Sequence, residues 1–321
     1  MFLRQFHYLV ALEQEGHFGR AAERCNVSQP SLSSAIKHLE EELGVPIILR
    51  HQKFQGFTEE GRRVVEWSKR LLADRQAMID ELSIMRRNLT GRLRIGAMPM
   101  SSPVLPAVHR LFSERHPGVQ VDIQFLGLER LKIGLRNFEL DVGLTYLEDQ
   151  PLERLKTLTL YEERWSLMVP RHMFPASKRT VTWAEADEVP LCLLSSFMRE
   201  RQIMDEAFRS IGRVPAPRLE SNSIFQLAFH VMQGDMATVI PADFTHANKA
   251  FPGTREIPLV EPAVSKTVGL VWEQGNPMLP MTKAFVELLT DSLEKRGLAC
   301  LAPQPTARKA ASRKRRAATA S

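Results

Sequence analysis

Between residues 28 and 37 the chain gathers Ser28, Gln29, Pro30, Ser31, Ser33, Ser34 and Lys37: small hydroxyls, one amide and one cation. An amide such as Gln29 can pair bidentately with adenine, and small neighbours let a backbone approach a groove. A helix opening at Ser28 would add N–H groups suited to phosphate. Such a face reads double-stranded DNA or is an ordinary solvated helix surface, and these residues alone leave both open. Arg50 and Lys53 follow on a short turn, where cations would grip the DNA backbone. A second set of hydroxyls falls in two loops, Met100-Ser101-Ser102 and Ser195-Ser196-Phe197-Met198-Arg199, with Thr145 near the end of an apolar run between them. Hydroxyls converging at helix N-termini suit a small anion, especially a carboxylate. Arg199 and Arg201 are unfavourable for a helix dipole there, so a bound anion or a nearby acid would account for them. Capping serines and an arginine paired to Glu200 or Glu206 would account for the same residues without any ligand.

Other chemistries lack their residues. The chain has no G-x-S-x-G elbow, no G-x-G-x-x-G, no phosphate-cradling P-loop and no H-E-x-x-H. His7, His38 and His51 fall in the front part, where a solvated or phosphate-facing role suits them better than catalysis. Cys25, Cys192 and Cys300 are far apart and form no C-x-x-C pair, so neither a metal site nor a disulfide framework is expected. A thiol switch needs an exposed, low-pKa cysteine. Cys192 lies inside the apolar run Pro190–Leu194 and reads as a buried small hydrophobe. No catalytic residue, metal or cofactor is expected.

The elements that must position these groups follow from periodicity. Phe2, Phe6, Leu9 and Val10 recur at helical spacing up to Gly16, and a short helix with Ala21 and Ala22 follows. Asn26-Val27-Ser28 turns into a third helix over about Gln29–Leu43, with Ser28 as N-cap and Pro30 in its first turn. Leu32, Ile36, Leu39 and Leu43 form its buried stripe and Gly44 its stop. Three helices with that turn predict a helix-turn-helix. Val45–Arg50 and Phe54–Thr58 read as a β-wing. A helix through about Arg87 then carries Val64, Val65, Trp67, Leu71, Leu72, Met78, Ile79, Leu82 and Ile84, a stripe expected to pack on a second copy of the chain. From Arg92 onward strands and helices alternate, arguing for parallel sheets covered by helices. The chain crosses out near 162–166 and back near 264–268, which predicts two lobes around a cleft.

The run from Ala21-Ala22-Glu23-Arg24-Cys25-Asn26-Val27-Ser28-Gln29-Pro30 to Ser31-Leu32-Ser33-Ser34-Ala35-Ile36, with Leu39-Glu40 and Leu43-Gly44, resembles the LysR-type helix-turn-helix signature. Pro46 through Arg50, Lys53, Phe57-Thr58 and Gly61 resemble that family's wing; His116-Pro117-Gly118-Val119 and Asp141-Val142-Gly143-Leu144 resemble its later landmarks. Ile47 and Ile48 stand where Leu-Phe is usual, Lys53 where Arg is usual, Glu60 where Ala is usual and Ser34 where Arg is frequent. Met98 and Met100 replace the usual Ser or Thr of the effector loop. The resemblance implies an α/β architecture: a winged helix-turn-helix over 1–58, a linker and dimerisation helix over 59–91, and an effector domain over 92–300 similar to periplasmic binding proteins. Its first lobe would take about 92–162 and 267–300, its second about 163–266. It further implies a homodimer or homotetramer on promoter DNA, contact with RNA polymerase, and a small-molecule co-inducer in the cleft. A similarity to regulators encoded beside formate dehydrogenase genes would suit formate or another small carboxylate. A regulator switched through a cysteine thiol is the alternative within the same family.

Composition sets the outer bounds. The 321 residues are 44% apolar and 25% charged, as in water-soluble globular proteins. The start lacks the basic and apolar stretches of a signal peptide, and no segment approaches the roughly 20 apolar residues that span a bilayer, so a cytoplasmic protein without membrane contact is expected. The net charge of +6 is matched by Arg308, Lys309, Arg313, Lys314, Arg315 and Arg316 in an acid-free tail. Residues 301–321 are therefore expected to be disordered and basic, and any nucleic-acid footprint in the body must come from local placement.

Overall fold

The structure, a computed structural model, describes residues 1–50, 54–85, 89–148, 152, 155–242, 244, 251–274 and 278–297. At the front, α1 (Leu3–Glu15), α2 (Phe18–Arg24) and α3 (Gln29–Leu43) close around Phe6, Leu9, Leu12, Ala21, Ala22, Leu32, Ile36 and Leu39. α3 starts where its local chemistry dictates. The Ser28 hydroxyl accepts from the Ser31 N–H, Pro30 sits in the first turn, and Gly44 ends the helix in the left-handed region at φ 68°. Leu43 departs from expectation: it is exposed, and the core is closed instead by the fully buried Ile47.

Two short antiparallel strands form the wing, β1 (Ile48–Arg50) and β2 (Phe54–Phe57), with Ile48 opposite Phe57. α4 (Glu59–Met85) follows, and its apolar stripe divides. Val64, Val65 and Leu72 pack on the front core, whereas Trp67, Leu71, Met78, Ile79 and Leu82 are exposed, Trp67 at 61%. The Ile84 side chain lies outside the described residues.

The remainder builds around one eight-stranded sheet. β3 (Gly91–Ala97), β4 (Val119–Phe125) and β5 (Val142–Tyr146) run parallel, with α5 (Leu105–Arg115) and α6 (Leu128–Arg136) between them. β6 (Leu155–Pro170) crosses between the lobes. Its first half pairs antiparallel with β12 (Ser265–Glu273), and its second half pairs with β10 (Thr238–Pro241) and β11 (Thr254–Val260). The expected parallel sheet is thus mixed, because the outgoing and returning crossovers run side by side in opposite directions. The second lobe adds β7 (Val181–Thr182), α7 (Trp183–Asp187), β8 (Cys192–Leu194), α8 (Arg199–Ser210), β9 (Leu219–Ser221) and α9 (Ile224–Gln233); α10 (Pro280–Arg296) returns to the first. Each lobe has its own core. One gathers Leu93, Ile95, Phe112, Val142, Leu270 and Phe285; the other gathers Trp165, Trp183, Cys192, Met204, Phe208 and Leu227.

Candidate nucleic-acid interface and effector cleft

Ser28, Gln29, Pro30, Ser31, Ser33, Ser34 and Lys37 are all exposed on α3 and its cap, while Leu32, Ile36 and Leu39 fix the helix from behind. Ser28 and Ser31 share a hydroxyl contact of 2.8 Å. Lys37 Nζ lies 3.8 Å from Glu41 with both side chains exposed, a weak tie that leaves the ammonium competent for phosphate. Arg50 stands on β1, but its side chain lies outside the described residues, as does Lys53 altogether.

Two buried polar groups hold this surface in register, and their sequence signal is a polar residue on an apolar helix face. Gln5 Nε2 donates to the Ala35 carbonyl at 3.2 Å, tying α1 to α3. The Glu40 carboxylate accepts from the Ile47 and Ile48 N–H groups at 2.8 and 3.1 Å, fixing where the wing leaves α3. Gln5 and Glu40 are 3% and 8% exposed, so both bonds are shielded from water.

The residues expected to meet an effector are brought partly together. Met100 and Ser101 are buried in a 3-10 turn, Pro99–Ser101, at the carboxyl end of β3, and Thr145 is buried near the end of β5. Ser102 does not cap α5. Its hydroxyl and that of Ser101 donate back to the Pro99 and Met98 carbonyls, and α5 begins at Leu105 after Val104. Ser195 and Phe197 lie on the loop before α8, Phe197 being 74% exposed, and neighbouring Ser196 is exposed too. The arginines are already engaged: Arg199 Nη1 reaches Glu206 at 3.1 Å, and Arg201 reaches Asp205, Glu220 and the Leu194 carbonyl at 2.6–2.7 Å. The basic groups expected to greet an anion therefore have acids of their own. Between the lobes stand Glu163 and Glu200, both buried; Glu200 is not the partner of Arg199, which reaches Glu206, and Glu163 carries no sequence motif.

A third feature joins the two halves. Lys69 on α4, 6% exposed, places Nζ 2.8 Å from the Glu13 carboxylate on α1 and 3.5 Å from Glu139 after α6. Glu139 in turn takes Arg130 at 2.8 Å. Lys69→Met is expected to lower the unfolding free energy by about 1–2 kcal/mol, since two acids lose their buried partner while keeping some access to water. Urea denaturation of the full chain measures this, and an unshifted midpoint would show that the three-way contact contributes nothing.

Residues 3–62 match the pattern of the bacterial regulatory helix-turn-helix protein of the lysR family, and residues 86–294 match the LysR substrate binding domain. The chain belongs to the LysR family. It is a DNA-binding transcriptional regulator with an effector-binding domain, and members of this family bind promoter DNA and oligomerise. It is 28% identical over 291 residues to the DNA-binding transcriptional dual regulator OxyR of Escherichia coli K12, a match covering 90% of this chain and 95% of that one. It is 27% identical over 299 residues to the transcriptional regulator XapR of the same organism, covering 89% and 96%. Among solved structures, full-length OxyR from Pseudomonas aeruginosa matches at TM-score 0.72 and 28% identity, covering 95% and 98%. CbnR in complex with its target DNA has the same fold at TM-score 0.65 and 21% identity, covering 91% and 100%.

Two thiols of this LysR regulator lie among the described residues, Cys25 half-buried and Cys192 buried. Cys192 is fully buried, and burial pushes its thiol up to about 11. Burial also raises Cys25, against the lowering effect of Arg24. Cys300 lies outside the described residues. No helix among the described residues is long and apolar enough to cross a membrane, and no group of three or more His, Cys, Asp or Glu among them is placed to hold a metal ion.

Proposed function

We propose that this LysR regulator acts in the cytoplasm as an oligomer on promoter DNA, with α3 in the major groove and the wing on phosphate, and that a small molecule between the lobes adjusts that grip. The observation that carries the proposal is the exposed polar surface of α3 above an apolar core. Gln29 and the small serines reach base edges, while Lys37 and the wing cations set register on the backbone. The exposed apolar half of α4 pairs two chains so that their recognition helices meet successive half-sites. The ligand is a co-inducer, not a cofactor, and no catalysis is assigned to the chain. Its effect on DNA is limited by its difference in affinity for the two lobe arrangements, and RNA polymerase reads the outcome. The resemblance to OxyR and to hydrogen peroxide-inducible genes activators would suggest a thiol switch; the buried Cys192 and the raised thiol of Cys25 oppose it.

Fluorescence anisotropy on the chain's own upstream DNA and a scrambled duplex, across a salt series, tests the proposal. Discrimination that survives rising salt supports it; equal, salt-fragile binding to both duplexes overturns it. In the same assay Gln29→Ala is expected to remove about 1–3 kcal/mol of discrimination while nonspecific affinity holds. Equal losses on both duplexes would remove Gln29 from base reading.

A further inference from the structure

Where the two lobes meet, two carboxylates, Glu163 and Glu200, are deeply buried. β6 alternates so that Tyr161, Glu163 and Trp165 share one face, and Glu163 and Trp165 are 3% and 2% exposed. Tyr146, the last residue of β5, donates its hydroxyl to Glu163 Oε2 at 2.5 Å, and Tyr161 lies near enough to act on the same carboxyl. From the other lobe comes Glu200, 4% exposed in the first turn of α8. The Met100 backbone lies close enough to lower its pKa against burial, and the Glu200 charge acts on both Glu163 and Tyr146. One oxygen of each acid, Glu163 Oε1 and Glu200 Oε1, has no protein partner, and neither has the Trp165 indole N–H on the same strand face as Glu163.

Among the described residues no ion pair to either acid is formed. Arg199 lowers Glu200 only as the smallest influence on it, and its guanidinium reaches Glu206. Lys266 stands opposite Glu163 in the β6–β12 ladder, yet among the described residues no base figures in what sets the Glu163 titration. Burial first, then the neighbouring Glu200, pushes Glu163 up to about 8 against its tyrosine neighbours. Burial raises Glu200 as well. An unpaired acid this deep avoids its desolvation cost by keeping a proton, or by meeting a cation that completes its hydrogen bonds.

We propose that this cluster is the recognition site for a small hydrogen-bond-donating cation of the amine, amidinium or guanidinium class, whose charged head takes the free oxygens of Glu163 and Glu200. It rests on the preceding proposal of a ligand between the lobes and names that ligand's chemistry, opposite in sign to the carboxylate the hydroxyl loops suggest. A cation held by Glu163 on the crossing strand and Glu200 on α8 bridges both lobes, so its binding depends on their separation. It also expels the proton that Glu163 carries when unliganded. Affinity should therefore rise as pH climbs from 6 toward 8, by up to about tenfold per unit for one displaced proton, and level off above.

The probe is acetamidinium chloride, titrated calorimetrically into the full-length protein in buffers of differing ionisation enthalpy, with sodium acetate at matched ionic strength as the anionic counterpart. The expected result is binding of acetamidinium with proton release, none of acetate, and at least a tenfold loss of affinity in Glu163→Gln and Glu200→Gln. Removing an acid whose folded pKa is raised should also make Glu163→Gln lose less stability than the native chain between pH 5 and 8, which shows that the variant is folded. Acetate binding in place of acetamidinium, binding of neither, or unchanged acetamidinium affinity in both variants overturns the proposal. Operator anisotropy on the same samples separates the two failures. Specific DNA binding with inert acetamidinium sinks the cation class alone, whereas loss of specificity in the native chain sinks the regulator proposal beneath it.

Discussion

Gly61→Ala is expected to unfold the winged helix-turn-helix and with it to abolish DNA binding. A Cβ at this position would lie 2.0 Å from the carbonyl oxygen of Ile47 and 2.8 Å from its carbonyl carbon, well inside contact distance. The obstacle is backbone, and it is held from several sides. The Ile47 N–H donates to buried Glu40, its carbonyl accepts from the Thr58 N–H at 3.0 Å, and its side chain is fully buried. α4 cannot retreat freely either, because Thr58 caps it through the Gly61 N–H at 2.8 Å and donates to the Pro46 carbonyl at 2.6 Å. Relief of the clash must separate α4 from the start of the wing, at a cost of at least about 3 kcal/mol. That is a large share of a typical domain stability of about 5–15 kcal/mol. Thermal melts by circular dichroism, run beside operator anisotropy, check this. A variant that melts and binds as the native chain does would show that the close approach of α4 to Ile47 is not required.

The span of α3 is legible in the sequence because every signal for it is local: Ser28 before the helix, Pro30 in its first turn, Gly44 behind it. Elements whose signals are distant are harder to read. β11 carries Pro258 and no apolar alternation, and it exists because β6 offers it a partner edge. α5 starts at Leu105, not directly after the serines, since Ser101 and Ser102 satisfy carbonyls in their own turn instead of capping a helix. The α4 stripe reads as one surface in one dimension and is two in three, divided where Val65 and Leu72 meet the front core. In the effector half, side-chain type alone does not reveal which acids the basic groups meet. Arg199 and Arg201 look like anion ligands until Glu206, Asp205 and Glu220 are seen beside them, contacts that depend on the α8 turn spacing and on a strand about twenty residues away. Glu163 does leave a trace, an acid between Tyr161 and Trp165 on the face where β6 is otherwise apolar. Its neighbours Glu162 and Arg164 are exposed, and the alternation becomes informative once the inward face is known.

Asp141→Ala is expected to cost about 2–4 kcal/mol and to disconnect the first lobe from the helix that leads to DNA. Asp141 Oδ2 accepts from the Arg94 N–H at 2.7 Å and from its Nε at 3.1 Å, while Oδ1 accepts from Nη2 at 2.6 Å. The same guanidinium donates to the Phe138 carbonyl at 2.6 Å, and Thr282 at the start of α10 donates to the Asp141 carbonyl at 3.3 Å. The carboxylate thus ties the start of β5 to β3 and holds the guanidinium that reaches the turn after α6, while the Asp141 backbone carbonyl separately takes α10. Removing the carboxylate leaves the Arg94 N–H and the guanidinium without their acceptor, although the arginine side chain is one-third exposed and recovers part of its solvation from water. That recovery keeps the cost below that of a wholly buried pair. The functional consequence follows from position. Asp141, Arg94 and Glu139 border the same groove, about 820 Å³, in which Lys69 and Asp80 of α4 face the first lobe. A loosened turn at 137–141 shifts Glu139 away from Lys69, so lobe movement no longer reaches α4 and α1. The front core shares no residue with this network, and specific DNA binding should survive at low temperature. Denaturation midpoints test the stability loss, with Asp141→Asn expected to lose less because it retains one acceptor. Anisotropy with and without a ligand that alters native binding tests the disconnection: a response of native size in Asp141→Ala would show that the lobes signal to DNA by another route.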